Sequence, residues 1–172
     1  MDRNCHARDA QRRAIRVYTQ RPDKARAHTK GTAQVLDGLG CRYEEEGTEI
    51  AIDMPFAIGG QNEGPSPGFF GRAALSSCVA IGIKMMATRE DIALDQVNVR
   101  IDQDWDNRGV LAVGGAETVA RASTLVIDLL GPASKEALTH LVSRALEVDP
   151  WFLAYRDAQP LDVSVCVAEG AV

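Results

Sequence analysis

Residues 59–67 read Gly-Gly-Gln-Asn-Glu-Gly-Pro-Ser-Pro and run straight into Gly68-Phe69-Phe70-Gly71-Arg72-Ala73-Ala74-Leu75-Ser76-Ser77-Cys78-Val79-Ala80-Ile81-Gly82-Ile83-Lys84. The first segment is too rich in glycine and proline for a strand or a helix interior. It ends on a helix-start signal, because Ser66 suits the N-cap and Pro67 the first helical position, where a missing N–H costs nothing. From Phe69 to Ala87 the residues are apolar or small almost all round, broken mainly by Arg72 and Lys84. That pattern predicts a helix buried on most sides. Two cations, a polar loop before it and Arg89-Glu90-Asp91 after it argue against a membrane span. Gly71 and Gly82 weaken such a helix unless something approaches closely there, and a backbone, including that of a second subunit, is the expected neighbour.

Upstream, residues 25–55 read as extended segments broken at Asp37-Gly38 and Glu46-Gly47, which predicts three antiparallel strands. Downstream, Leu94, Val97, Val99 and Ile101 largely alternate with polar residues, and Leu125, Ile127 and Leu129 alternate within 119–129, giving two further strands. Ser134 then caps an amphipathic helix carrying Leu138, Leu141, Val142, Ala145 and Leu146, with Asp149-Pro150 as its expected end. Leu161, Val163, Val165 and Val167 predict a last, half-buried strand. Strands, buried helix, strands, amphipathic helix and strand make an antiparallel α+β domain, not a parallel doubly wound one.

Composition limits the function classes. The 172 residues are 45% hydrophobic and 25% charged, ordinary for one soluble domain with its own core. Residues 1–30 hold nine Lys and Arg against three Asp, a local charge of +6, which leaves −11 for the rest of a chain of net charge −5. The basic arm, taken as residues 1–24 and helical over 7–20, lacks interleaved stacking aromatics. A segment lying on its own acidic body is therefore preferred to a nucleic-acid or lipid contact. No apolar region follows the amino-terminal charges, so the expectation is a cytoplasmic protein without membrane attachment. The Gly-rich loop has neither G-x-G-x-x-G nor a Lys-Ser/Thr ending, so no nucleotide site is expected. His6, His28 and His140 show no metal-ligand spacing with each other or with a cysteine, and no metal is expected.

Cys5, Cys41, Cys78 and Cys166 are widely separated, with no C-x-x-C pair, so any thiol chemistry rests on individual cysteines. Cys78 stands out among them. It lies on the predicted buried helix three turns after the loop, amid Ala73, Ala74, Ser76, Ser77 and Ala80, which leave room for a substrate. Two readings stay open on the residues alone: a small hydrophobe of the core, or a reactive thiol that needs a cation or donors to ionise. Arg72 and Lys84, each six residues away, point to other faces.

The string Gly59-Gly60, Gly64-Pro65-Ser66-Pro67, Ala73-Ala74-Leu75-Ser76-Ser77-Cys78 and Ile92-Ala93-Leu94 resembles the OsmC/Ohr family of osmotically induced and organic-hydroperoxide-resistance proteins. The likeness covers most of residues 25–172. It implies an OsmC-like fold, with an antiparallel sheet, a central buried helix and a second amphipathic helix. It also implies an intertwined homodimer with sites at the subunit interface. Family enzymes reduce hydroperoxides with a peroxidatic thiolate, which becomes a sulfenic acid and then a disulfide with a second cysteine. Cys78 matches the first position. The second normally reads Cys-Pro, and here it reads Asp149-Pro150, so the implied enzyme is a one-cysteine thiol peroxidase. It would need an external thiol reductant and no other cofactor.

Gly68 and Phe69 occupy the positions of the family's organising glutamate, and Glu44-Glu45-Glu46 is a candidate substitute. The partnering arginine comes from the amino-terminal strands, where Arg26 and Arg42 are both candidates. Phe69, Phe70 and Trp151 are the expected substrate-binding aromatics, favouring bulky organic hydroperoxides. The alternative is a non-peroxidatic OsmC-like dimer that binds a small apolar or thiol-bearing ligand at the interface.

Overall fold

Both hairpin signals become turns in the computed structural model, which describes residues 3–167. β1 (Gly31–Val35), β2 (Cys41–Glu45) and β3 (Thr48–Ile52) form an antiparallel sheet in that order, with Tyr43 opposite Ala33 and Ile50. Glu46 and Gly47, at φ 49° and 78°, make the two-residue turn between β2 and β3. Positive φ at both central residues matches the right-handed twist of the flanking strands.

The chain then folds back over β3. Buried Asp53 accepts backbone N–H bonds from Met54, Gln61 and Glu63 at 2.6, 2.9 and 3.2 Å. These donors, that of Glu63 foremost, hold its carboxyl below the ordinary aspartate range. A Cβ at Gly60 would lie 1.7 Å from the Met54 carbonyl oxygen, and one at Gly64 would lie 2.2 Å from that of Ala51. The glycines are thus required by backbone contact of the loop with β3 and with Met54 just after it, and so bring the chain to the start of the central helix.

That helix, preceded by α1 (Arg3–Gln20), is α2 (Pro67–Arg89). Ser66 stands at the N-cap position in extended conformation, although its side chain accepts no capping bond; its carbonyl accepts from Phe69 N at 2.9 Å. By length and composition α2 could cross a membrane, but its Leu75, Val79, Ile83, Met86 and Ala87 are buried in a core of the same chain. The spacing of that stripe keeps one face turned inward over the helix length.

Against it pack β4 (Gln96–Asp104) and β5 (Ala122–Leu130), antiparallel, which pair Val97 with Leu129, Val99 with Ile127 and Ile101 with Leu125. A short α3 (Asn107–Val110), begun by Asp106, interrupts their connection and was not expected. α4 (Lys135–Leu146) starts as predicted, with Ser134 Oγ accepting from Ala137 N, and buries Leu141 and Ala145 against α2.

Several expectations are corrected. Asp149-Pro150 does not simply end α4: Asp149 is the N-cap of a further helix, α5 (Pro150–Arg156), whose Phe152 N donates to its Oδ1 at 2.8 Å. A run of Trp-Phe-Leu behind Asp-Pro is itself a helix start. Close approach to Gly71 and Gly82 comes from side chains of the same chain, Tyr155 and Asp149. α2 is not covered on most sides, since Ile81 and Met85 are 58% and 46% exposed. Residues 158–167 form no strand and are exposed, because among the described residues no strand lies alongside to accept their backbone bonds.

The basic segment forms α1, which begins earlier than its apolar pattern indicated and packs on α2. Arg8 and Arg12 hold Asp91 at 2.8 and 2.9 Å, tying this helix to the end of α2.

Candidate active site

Cys78 sits on the face of α2 that meets the turn between α4 and α5. Its neighbours one and two turns on, Gly82 and Met85 with Met86, follow from the i, i+4, i+7, i+8 geometry of a helix. Together with Ile81, Arg89, Ala145, Val148, Asp149 and Pro150 they line a cavity of about 300 Å³. Its walls are mostly apolar, and Cys78 is half-buried at its edge.

Asp149 closes that edge. It is only 4% exposed, although its chemistry favours water. Oδ1 is used as the helix cap, while Oδ2 accepts no hydrogen bond from any N–H or O–H group among the described residues. The carboxylate lines the same cavity as the Cys78 thiol, and the missing side chain of Gly82 makes the space for it: a Cβ there would lie 3.2 Å from Oδ2.

Three influences act on the thiol. Burial pushes its pKa up most, the Trp151 backbone N–H pulls it down, and the Asp149 carboxylate pushes it up again through hydrogen bonding and like charge. The net shift is upward. This environment favours the thiol over the thiolate, with the Asp149 carboxylate lining the same cavity.

The other residues singled out from the sequence fall elsewhere. Arg42 lies on β2, with Nε 3.3 Å from Glu49 Oε1, and Arg26 is exposed after the short 3-10 helix that follows α1; neither lines the cavity. Phe69 and Phe70 stack edge to face with ring centroids 5.4 Å apart in the first turn of α2, outside the cavity lining. The backbone N–H of Trp151 draws the Cys78 pKa down, while its side chain stays half-exposed. Glu45 is bonded to Tyr43 on the three-stranded sheet, so this run does not deliver a carboxylate to Cys78 within one chain. Gly68 and Phe69 indeed supply none, and the carboxylate beside the thiol is instead Asp149.

In the sequence Asp149 reads as the place of a lost thiol and as the end of α4. The usable signal was the helix-start pattern behind it, which directs the side chain back toward the preceding element. No metal-binding cluster of His, Cys, Asp and Glu occurs among the described residues.

Comparison with known proteins agrees with this architecture. A family model described as OsmC-like protein matches residues 60–150, from the glycine loop to Pro150. Among solved structures, an OsmC-like protein from Mycoplasma pneumoniae superposes with a TM-score of 0.64 at 13% identity, covering 77% of this chain and 89% of that one. An organic hydroperoxide resistance protein from Legionella pneumophila gives 0.58 at 22% identity, covering 76% and 90%. The organic hydroperoxide resistance protein OhrB of Bacillus subtilis gives 0.53 at 20% identity, covering 77% and 93%. At these identities the solved structures establish the α+β fold. No curated protein matches the chain at a significant level.

Proposed function

Because the chain belongs to the OsmC-like family, we propose that it is a one-cysteine thiol peroxidase that reduces organic hydroperoxides through Cys78, acting as a cytoplasmic homodimer. The observation that carries this reading is the Cys78 thiol at the edge of an apolar cavity, with a carboxylate where a resolving thiol would stand. Sulfur attacks the terminal oxygen of the hydroperoxide, so an S–O bond forms as the O–O bond breaks. The products are a sulfenic acid and an alcohol. One external thiol then condenses with the sulfenic acid, releasing water, and a second returns Cys78 to the thiol. Ile81, Met85, Met86 and Val148 favour an alkyl or aryl hydroperoxide over hydrogen peroxide, which gains nothing from apolar contact.

The dimer is supported by the open face of α2 and by the three-stranded sheet, whose principal contacts are among its own strands and whose β1 is exposed throughout. A second copy would cover both surfaces and bring further side chains to the cavity.

A second reading is favoured by the upward shift of the thiol: a dimer that binds a small apolar or thiol-bearing ligand in the same cavity without peroxide chemistry. Turnover of tert-butyl hydroperoxide with a dithiol reductant separates the two. Turnover abolished by Cys78→Ser supports the enzyme, whereas a wild-type protein without turnover leaves the binding role.

A further inference from the structure

We propose that Asp149 is a catalytic residue in its own right, the proton acceptor and donor that lets Cys78 react from its thiol form. The proposal rests on the peroxidase reading above. A carboxylate 96% removed from solvent, with one oxygen lacking any N–H or O–H donor, is a costly arrangement. Capping α5 does not require it, since the cap uses Oδ1 alone and asparagine caps as well as aspartate. The spare Oδ2 sits over Gly82, one turn along α2 from Cys78, at the wall of the cavity into which a hydroperoxide would enter.

The geometry supplies what a thiolate-stabilising arginine would otherwise have to provide. As sulfur attacks the terminal peroxide oxygen, the thiol proton passes to Asp149; as the O–O bond breaks, Asp149 returns it to the departing alkoxide. Sulfur loses two electrons, the peroxide gains them, and Cys78 ends as a sulfenic acid beside an alcohol, with the carboxylate restored. The only other charged side chain lining the cavity among the described residues is Arg89, in the last turn of α2. Eleven residues beyond Cys78, it lies about 16 Å further along the helix axis and cannot serve the sulfur locally.

Asp149→Asn tests this because asparagine keeps an acceptor for Phe152 N but cannot carry the proton. Hydroperoxide turnover should fall by about 100-fold or more, the usual contribution of a positioned acid-base group. Alkylation of Cys78 by iodoacetamide at constant pH should become faster, because removing the negative charge lowers the thiol pKa. Asp149→Glu should recover at least tenfold of the lost turnover.

These opposite effects on two reactions of one sulfur would not follow from a structural role. Turnover by Asp149→Asn equal to or above that of wild type would overturn the acid-base role while leaving the peroxidase intact. Slowing of both reactions would assign Asp149 to structure and also overturn it. A wild-type protein without turnover would defeat the peroxidase reading and this proposal with it.

Discussion

Gly82 and Asp149 are fitted to each other: the bare α-carbon of one provides the space occupied by the carboxylate of the other, 3.2 Å from where a Cβ would stand. Gly82→Ala separates helix stability from site chemistry. Alanine favours a helix interior by about 1 kcal/mol over glycine, and the crowding is relieved by a small movement of the carboxylate. Thermal unfolding should therefore occur at or slightly above the wild-type temperature, while hydroperoxide turnover falls because Oδ2 has been displaced from Cys78. A variant with lower stability and unchanged turnover would contradict this separation.

The fate of oxidised Cys78 gives a second outcome. Without a thiol at position 149, a stoichiometric dose of hydroperoxide should leave a sulfenic acid, and excess should drive it to sulfinic acid. Asp149→Cys should instead close a disulfide between Cys78 and the new thiol, since both positions line the same cavity. Intact-mass analysis distinguishes the products. A wild-type disulfide from Cys78 to Cys41 or Cys166 would overturn the one-cysteine chemistry.

Where sequence and structure agree, local chemistry dominates: Glu46-Gly47 reads as a turn because its φ angles require one, and Leu138 to Leu146 reads as a helix because its stripe meets a core. Leu161 to Val167 has equally clear alternation but forms no strand, since pairing depends on a neighbour that periodicity cannot specify. The site divides in the same way. Cys78 was visible from its motif and its helix, and its α+β setting was visible from element order. That position 149 lies near Cys78 was implied by the resemblance, which puts a disulfide partner there; that its carboxylate is buried with Oδ2 unpaired was not, because this depends on the fold of α4 and α5 back onto α2.

Titration of Cys78 also sets the sign of a stability effect. Its pKa is raised in the folded protein, so the folded state holds the proton longer than the unfolded chain. The associated stability is complete below the ordinary thiol pKa of about 8.5 and is lost as pH rises through the folded value. Urea unfolding between pH 7 and 10 should show this alkaline loss, and Cys78→Ala should flatten it. A wild-type curve parallel to that of the variant would mean that the thiol is not perturbed.

Arg144 acts at the other end of the scale. Its guanidinium grips Glu90 with Nη1 2.8 Å from Oε1, joining α4 to the end of α2, and this hydrogen bond holds the Glu90 carboxyl below its usual range. The pair is about one-third exposed, so solvent screening keeps its contribution small. Its stabilisation is present above the ordinary glutamate pKa and is lost as pH falls through the lower folded value. Arg144→Met should therefore destabilise modestly at pH 7 and progressively less as the pH falls below the ordinary glutamate pKa, as measured by chemical unfolding.

Assembly connects the open face of α2 to the cavity. Ile81 lines the cavity and is nevertheless 58% exposed, with Met85 beside it on the same face. Apolar side chains at such a position are stabilised only when a second surface removes them from water. Obligate dimers typically bury over about 2,000 Å², and α2 with the exposed three-stranded sheet offers surfaces of that kind. Sedimentation should give a dimer at micromolar concentration. Ile81→Arg, which puts a desolvated charge into the contact, should yield folded monomers that retain the helix content of wild type. Turnover should fall with the loss of the dimer, because the cavity wall opens to water. A wild-type monomer at that concentration, or an Ile81→Arg monomer with full turnover, would show that the cavity works without a second subunit.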